Sequence, residues 1–353
     1  MRLCLLALLF TLGTSAVVHA TEFGFDYWPR GFSGDIFFDT NWINHKSDVV
    51  HDLDVIQSMG GTTLRLMFWP EQSGFQLDPQ ADAISPQYLQ MVKNFPEFLA
   101  MLSKRHMRVI LCFSNSFLLY GPDSPKQTKW WNLKYGGHEN LNAFLTDSGR
   151  WITGLVRASE ESQYASSVLY YDIQNEYTPS WPDMNSYVEA MAKLPVIPPS
   201  KLGISILYGA SDVATLKDLA LAQEIDFRFV DFHVYPDAIA ANAVAPNTNG
   251  TGFNMNIEEI HQSLFKNFPR AQFLIGELGY RGNSVDEQNA QSKAMISILN
   301  RAQADQITCV LGWSLYEDSG QPKMQMGGGM GVFDSNGLPK QIVNALQSRI
   351  PHP

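Results

Sequence analysis

Two glutamates stand inside apolar runs that give no local reason for a charge. Glu176 ends the run Tyr170-Tyr171-Asp172-Ile173-Gln174-Asn175-Glu176, and Glu277 lies within Phe273-Leu274-Ile275-Gly276-Glu277-Leu278-Gly279. Burying an unpaired carboxylate is expensive, so each needs a partner or a task. Taken singly, either one reads more readily as half of a structural ion pair. Taken together, the two suit hydrolysis of a glycosidic bond by double displacement, which needs two carboxyl groups about 5–5.5 Å apart. One attacks the anomeric carbon; the other protonates the leaving oxygen and then activates water.

Such a pair needs elements that bring residues a hundred positions apart into one place. Eight short apolar, β-branched or aromatic runs recur along the chain, at 23–28, 62–69, 107–115, 168–176, 202–207, 229–235, 272–280 and 307–316. Most are continuous in apolar character, the pattern of strands buried on both faces. Segments of helical periodicity separate them, at 46–59, 86–105, 143–163, 211–222, 257–267, 285–303 and 339–349. In the first of these, Val49, Val50, Leu53 and Ile56 share a face. Strands alternating with helices give βαβ units on a parallel sheet. Eight such units predict a (β/α)8 barrel, an α/β fold in a single domain over residues 21–353. A doubly wound sheet usually has fewer strands and a nucleotide loop after the first, and no such loop follows Trp28. In a barrel the strands' C-terminal ends carry the chemistry, and both glutamates sit near such ends, on the fourth and seventh strands.

The 353 residues are 45% apolar and 17% charged, a globular composition, with a formal net charge of -10. An acidic chain without a basic run argues against a nucleic-acid partner. The first twenty residues read as an export signal: Arg2, an apolar core from Cys4 to Phe10, and Val18-His19-Ala20 as a small-x-small cleavage pattern. The apolar run is shorter than the roughly 20 residues a membrane span needs. A secreted or periplasmic protein, without membrane attachment after cleavage and monomeric, is expected. Of the three cysteines, Cys112 and Cys309 lie beyond that signal, too few for a disulfide framework, so two buried free thiols are expected. No Cys/His cluster, phosphate loop or G-x-S-x-G elbow is present, which predicts neither metal nor cofactor.

Asn175-Glu176 at the end of strand four with Glu277 on strand seven resembles the signature of the clan A glycoside hydrolases, which are retaining enzymes on this barrel. Family 5 of that clan, the cellulase and mannanase family, is the most similar. The resemblance implies that Glu176 is the acid/base and Glu277 the nucleophile. It implies that Arg65 on strand two supports the nucleophile and that Asn175 binds the sugar 2-hydroxyl. His233 and Tyr235, from Asp231-Phe232-His233-Val234-Tyr235, match the family's His-x-Tyr, with Tyr235 donating to the nucleophile. Trp313 matches the strand-eight tryptophan beneath the scissile sugar. Family 5 also carries a histidine at the end of strand three; here Ser114 and Asn115 stand there instead, so families 39 and 42 or an unclassified member of the clan remain open and Asn115 is a candidate substrate contact.

Aromatic residues gather near strand ends. Trp28, Trp69, Trp130, Trp131 and Trp181 are candidate sugar-stacking residues, with Tyr27 and Tyr316 nearby. The long connections 116–142 and 236–256 are expected to border a cleft, and 327–329 adds a Gly-rich loop. Asn249-Gly250-Thr251 fits a glycosylation sequon. The expected activity is cleavage of β-glycosidic bonds in a polysaccharide or oligosaccharide of β-glucan or mannan type. Remodelling of an exopolysaccharide, or carbohydrate binding without turnover, are the alternatives.

Overall fold

The computed structural model describes residues 21–30, 42–68, 86–113, 141–179, 183–206, 209–235, 257–317 and 329–349. Eight parallel strands close into a barrel in chain order, β8 pairing with β1. The strands are β1 (Glu22–Asp26), β2 (Thr63–Met67), β3 (Arg108–Cys112), β4 (Val168–Asp172), β5 (Leu202–Ile206), β6 (Phe229–Val234), β7 (Gln272–Leu278) and β8 (Cys309–Gly312). The helices among the described residues are α1 (Trp42–Ser58), α2 (Pro86–Lys104), α3 (Leu141–Glu160), α4 (Met184–Ala192), α5 (Gly209–Ala222), α6 (Ile257–Asn267), α7 (Val285–Ala304) and α8 (Gln341–Gln347). The predicted (β/α)8 barrel is therefore the observed fold. None of the described helices is long and apolar enough to cross a membrane.

The continuous apolar runs divide their side chains between two cores. Ile110, Tyr170, Phe229, Leu274 and Leu311 fill the barrel interior. Their alternates, among them Leu64, Val109, Leu111, Tyr171, Ile204 and Val230, pack outward beneath the helices. α1 contributes Val49, Leu53 and Ile56 to that layer, the spacing seen in the sequence. α7 begins at a capping box in which the Ser284 side chain accepts from the Glu287 backbone and Glu287 reaches back to the Ser284 N–H. Two expectations need correction. α4 was not predicted, and the fourth strand stops at Asp172 rather than running on to Glu176. Cys112 and Cys309 are both buried and free, as expected.

Candidate active site

Above the apolar interior lies a charged layer built around Arg65 of β2. Its guanidinium is fully buried and reaches groups from five other strands. Nη1 lies 3.1 Å from Asp26 Oδ1 on β1 and 3.1 Å from Glu277 Oε1 on β7. Nη2 lies 2.8 Å from Asp172 Oδ2 on β4 and 3.5 Å from both Cys112 Sγ on β3 and Ser205 Oγ on β5. It also donates to Asn175 Oδ1 at 2.6 Å. A planar fork with five donors suits this arrangement, and a single ammonium could not span it.

Glu277 owes its position to an irregularity in β7. The register against β6 slips between Phe232 and His233, so that Ile275 faces Phe232 and Glu277 faces His233, leaving Gly276 over. A bulge of this kind re-aims a side chain beside a site. Gly276 has to be glycine, because a Cβ there would lie 2.6 Å from the Asp231 carboxylate. Glu277 then accepts from Arg65 through Oε1 and, at close range, from the Tyr235 hydroxyl through Oε2. His233 Nδ1 stands 3.4 Å from that same Oε2.

Glu176 is placed by a different device. Past Asp172 the chain leaves the strand, and Glu176 takes a left-handed backbone conformation with φ of 55°. That conformation costs a non-glycine residue on the order of 1–3 kcal/mol and persists only where neighbours hold it. Ser205 is the neighbour. Its Oγ accepts from the Glu176 N–H at 2.8 Å, and its carbonyl accepts from the Tyr177 N–H at 2.8 Å. Glu176 Oε1 then lies 2.9 Å from His233 Nδ1. One oxygen of Glu176, one of Glu277 and a His233 ring nitrogen lie within 4.8 Å of one another.

Arg65, Asn175, Glu176, His233, Tyr235 and Glu277, singled out from sequence, thus meet in one cluster. Trp313 packs against Trp28, Met67 and Cys112, the last of which lies 3.5 Å from Arg65. Trp28 does not meet the expectation of a sugar-stacking surface. It is 1% exposed and packs edge-on against Trp313, ring centres 5.3 Å apart, so it braces that ring from below. Tyr27 and Tyr316 are likewise taken, each donating to Asp52 on α1. Trp69, Asn115, Trp130, Trp131, Trp181, Asn249, residues 116–140 of the first long connection and all of 236–256 lie outside the described residues, while 141–142 open α3. Sequence reasoning passed over Asp26, Tyr170, Asp172, Ser205 and Asp231, which form the layer beneath the two glutamates.

That layer sets the protonation of the site. Burial pushes Asp26 well above the usual carboxylate range, against the pull of Arg65. Burial, reinforced by Asp231 and opposed by Arg65, brings Asp172 up to about 6. Burial also raises Glu277; His233, Arg65 and the Tyr235 hydroxyl pull it back while the Glu176 charge adds to the rise. For His233, burial works against the imidazolium, but Glu277, Asp231 and Glu176 outweigh it and the ring titrates well above its ordinary value. All four groups bind their proton more tightly in the folded chain than in the unfolded one. Their stabilisation is complete below the unfolded values and is lost as pH rises through the folded ones. The surface acids held low, Glu22 and Glu97, are already ionised across that range. Thermal melts are therefore expected to show Tm falling between about pH 5 and about pH 8; a flat or rising profile would contradict this charge distribution.

Glu176, His233 and Glu277 are spaced closely enough to hold a metal ion. Electrostatics favours another use. Both Glu277 oxygens already accept hydrogen bonds, and the Arg65 cation 3.1 Å from one of them opposes a second cation there.

The chain folds as a closed (β/α)8 barrel, a fold it shares with solved glycosidase structures. No protein-family model matches the sequence, and no curated protein does. Solved structures do match in fold. One is the exo-β-1,4-mannosidase Op5Man5 from Opitutaceae bacterium strain TAV5, at 16% identity and a TM-score of 0.63 over 93% of this chain; the match spans 58% of that protein's length. A second is GH5_18 from Streptomyces cattleya in complex with GlcNAc, at 14% identity and a TM-score of 0.65, covering 95% of this chain and 82% of that one. A third is the intracellular xylanase TsXylA from Thermoanaerobacterium saccharolyticum JW/SL-YS485 with xylotriose, at 12% identity and a TM-score of 0.58, covering 93% and 95%. At these identities the likeness is one of fold, and it bears out the resemblance read from Asn175-Glu176 and Glu277 at that level.

Proposed function

We propose that the protein is an exported glycoside hydrolase that cleaves β-glycosidic bonds with retention, acting as a monomer on a polysaccharide or oligosaccharide of β-glucan or mannan type. The observation that carries this reading is the close approach of Glu176 and Glu277, their nearest oxygens within 4.8 Å across the barrel mouth. A short separation suits attack by one carboxylate; inversion needs room for a water, with the groups about 6.5–9.5 Å apart. Glu277, held by Arg65 and Tyr235, attacks the anomeric carbon from one face. Glu176, beside His233, gives its proton to the departing oxygen, then takes one from the water that releases the sugar. Asn175, on the Arg65 fork, receives the sugar 2-hydroxyl, and Trp313, braced by Trp28, floors the subsite. The mannosidase and the sugar-bound structures among the neighbours support the substrate class. Export rests on the pattern of the first twenty residues.

The test is incubation of the purified protein with defined β-glucans, mannans and xylans, following product anomers by NMR from the first minutes. The β-anomer is expected first. An α-anomer appearing first would mean inversion, and binding without cleavage across the panel would make the protein a carbohydrate-binding barrel.

A further inference from the structure

His233 faces both glutamates, and its behaviour depends on which ring nitrogen carries hydrogen. Nδ1 serves Glu176 at 2.9 Å. Nε2 points the other way, towards Asp231 Oδ1 at 3.5 Å. Both atoms are buried, and among the described residues neither has another hydrogen-bond partner. The contact is long, as such contacts are before substrate closes a site, but each atom has only the other to satisfy it.

Asp231 is itself held in place. It is fully buried, and its Oδ2 accepts from the Tyr170 hydroxyl at 2.5 Å. Two glycines make room for the pair. A Cβ on Gly276 would strike the Asp231 carboxylate, and one on Gly203 would lie 2.3 Å from the Tyr170 ring, which also stacks on Phe229 with ring centres 4.7 Å apart. Burial together with Asp231 itself pushes the Tyr170 phenol far up, so Tyr170 remains a donor. Asp231, acceptor-only when ionised, therefore takes hydrogen from Tyr170 on one oxygen and presents the other to His233.

We propose that Asp231 is a positioning residue that holds the His233 ring with hydrogen on Nε2, keeping Nδ1 for a proton shared with Glu176. The proposal rests on the reading of Glu176 as acid/base. With Nε2–H fixed, a neutral ring accepts the Glu176 proton at Nδ1 and points the acid towards its task. A charged ring donates that same proton back to the Glu176 carboxylate. Either way one proton lies between Nδ1 and Oε1, and it is the one that passes from Glu176 to the leaving oxygen, which leaves a Glu176 carboxylate beside a neutral ring with hydrogen on Nε2. With the other tautomer, the neutral ring could only donate at Nδ1, and the Glu176 proton would have no acceptor on the ring.

The charged and titratable groups around the ring are Asp231 from its own strand, Glu176 from beyond β4, Glu277 from β7, and the more distant Asp26 and Arg65; Tyr235 approaches through Glu277. Asp231→Asn isolates the contribution of the one acid behind the ring. Tyr170 selects the amide oxygen, so the amide N–H2 turns to His233 and forces hydrogen onto Nδ1. The protein carries eight histidines, so the His233 signals are assigned by their loss in His233→Asn. In nitrogen-15 NMR of the wild type, Nε2 is expected to carry hydrogen at neutral pH. In Asp231→Asn, hydrogen is expected on Nδ1, and the double variant Asp231→Asn, Tyr170→Phe, where the amide can turn again, is expected to recover Nε2–H. On a glycoside that the wild type cleaves, kcat of Asp231→Asn is expected to fall about 10- to 100-fold, with KM changed by less than about threefold.

A wild-type spectrum with bare Nε2 overturns the proposal, and needs no variant to fold. So does an Asp231→Asn spectrum identical to the wild type. If the tautomer changes as stated while neither protein cleaves any glycoside, the positioning role stands and the glycosidase reading fails.

Discussion

Glu277→Gln is expected to lower kcat/KM on a glycoside substrate on the order of 10⁵-fold, about 7 kcal/mol of transition-state stabilisation. Glutamine keeps the shape and can still accept from Arg65, so the barrel is retained while the attacking oxygen is lost. The two glutamates differ in how the loss can be repaired. In Glu277→Ala the space beneath the anomeric carbon is free, and azide entering there gives a product of inverted configuration. In Glu176→Ala the nucleophile still works, so aryl glycosides whose leaving group needs no proton are expected to lose far less than alkyl ones. Azide then intercepts the glycosyl-enzyme from the other face and gives a product of retained configuration. If Glu277→Ala hydrolysed a confirmed substrate at the wild-type rate, or if the azide products had the opposite configurations, the roles assigned here would be wrong.

Which parts of this arrangement were legible in sequence follows from which constraints are local. A strand buried on both faces must be apolar throughout, so all eight strands could be seen. The fourth was overrun because Ile173 and Gln174 stay buried and keep backbone hydrogen bonds to β5 beyond the strand's end at Asp172, while Glu176 turns left-handed. α4 was passed over although Met184, Tyr187, Val188 and Met191 are buried at helical spacing. It has only nine residues, and it sits between Pro182 and Pro195, which read as a loop. Asp26, Asp172 and Asp231 each interrupt an apolar run by one residue, the same signal that drew attention to Glu277. Their significance lies in the pairing register, which places Asp26 beside Arg65 and Ser205 beside Asp231, and register between distant strands leaves no mark on either strand alone. Trp28 failed for a related reason. Nearness to a strand end says that a ring is close to the mouth, but which of two rings covers the other depends on β1 and β8 being neighbours.

The same non-local layer makes Arg65 the residue whose loss is expected to cost most in stability. Arg65→Met keeps the length and apolar stem but removes the guanidinium from among Asp26, Asp172 and Glu277, leaving the His233 ring beside Glu277 as a nearby cationic group, and leaves Asn175 Oδ1 without its 2.6 Å donor. Removing one partner from a buried ion pair typically costs about 3–5 kcal/mol, because the remaining charge stays desolvated. Three carboxyls can relieve that cost by holding protons, and burial already raises all three in the intact protein. Without Arg65 their folded-state values rise further. An acid whose folded value is raised stabilises below its unfolded value and loses that contribution as pH climbs, so the deficit of the variant is expected to widen with pH. Denaturant unfolding should give a loss of about 3–5 kcal/mol near pH 7 and a clearly smaller one near pH 5. Arg65→Lys is expected to recover only part, since one ammonium cannot satisfy acceptors on four strands. A loss that is equal at both pH values would mean that the three carboxyls do not share the cation. Because the Arg65 charge that touches Glu277 is also the one shared with Asp26 and Asp172, no substitution at Arg65 is expected to separate a loss of activity from a loss of stability.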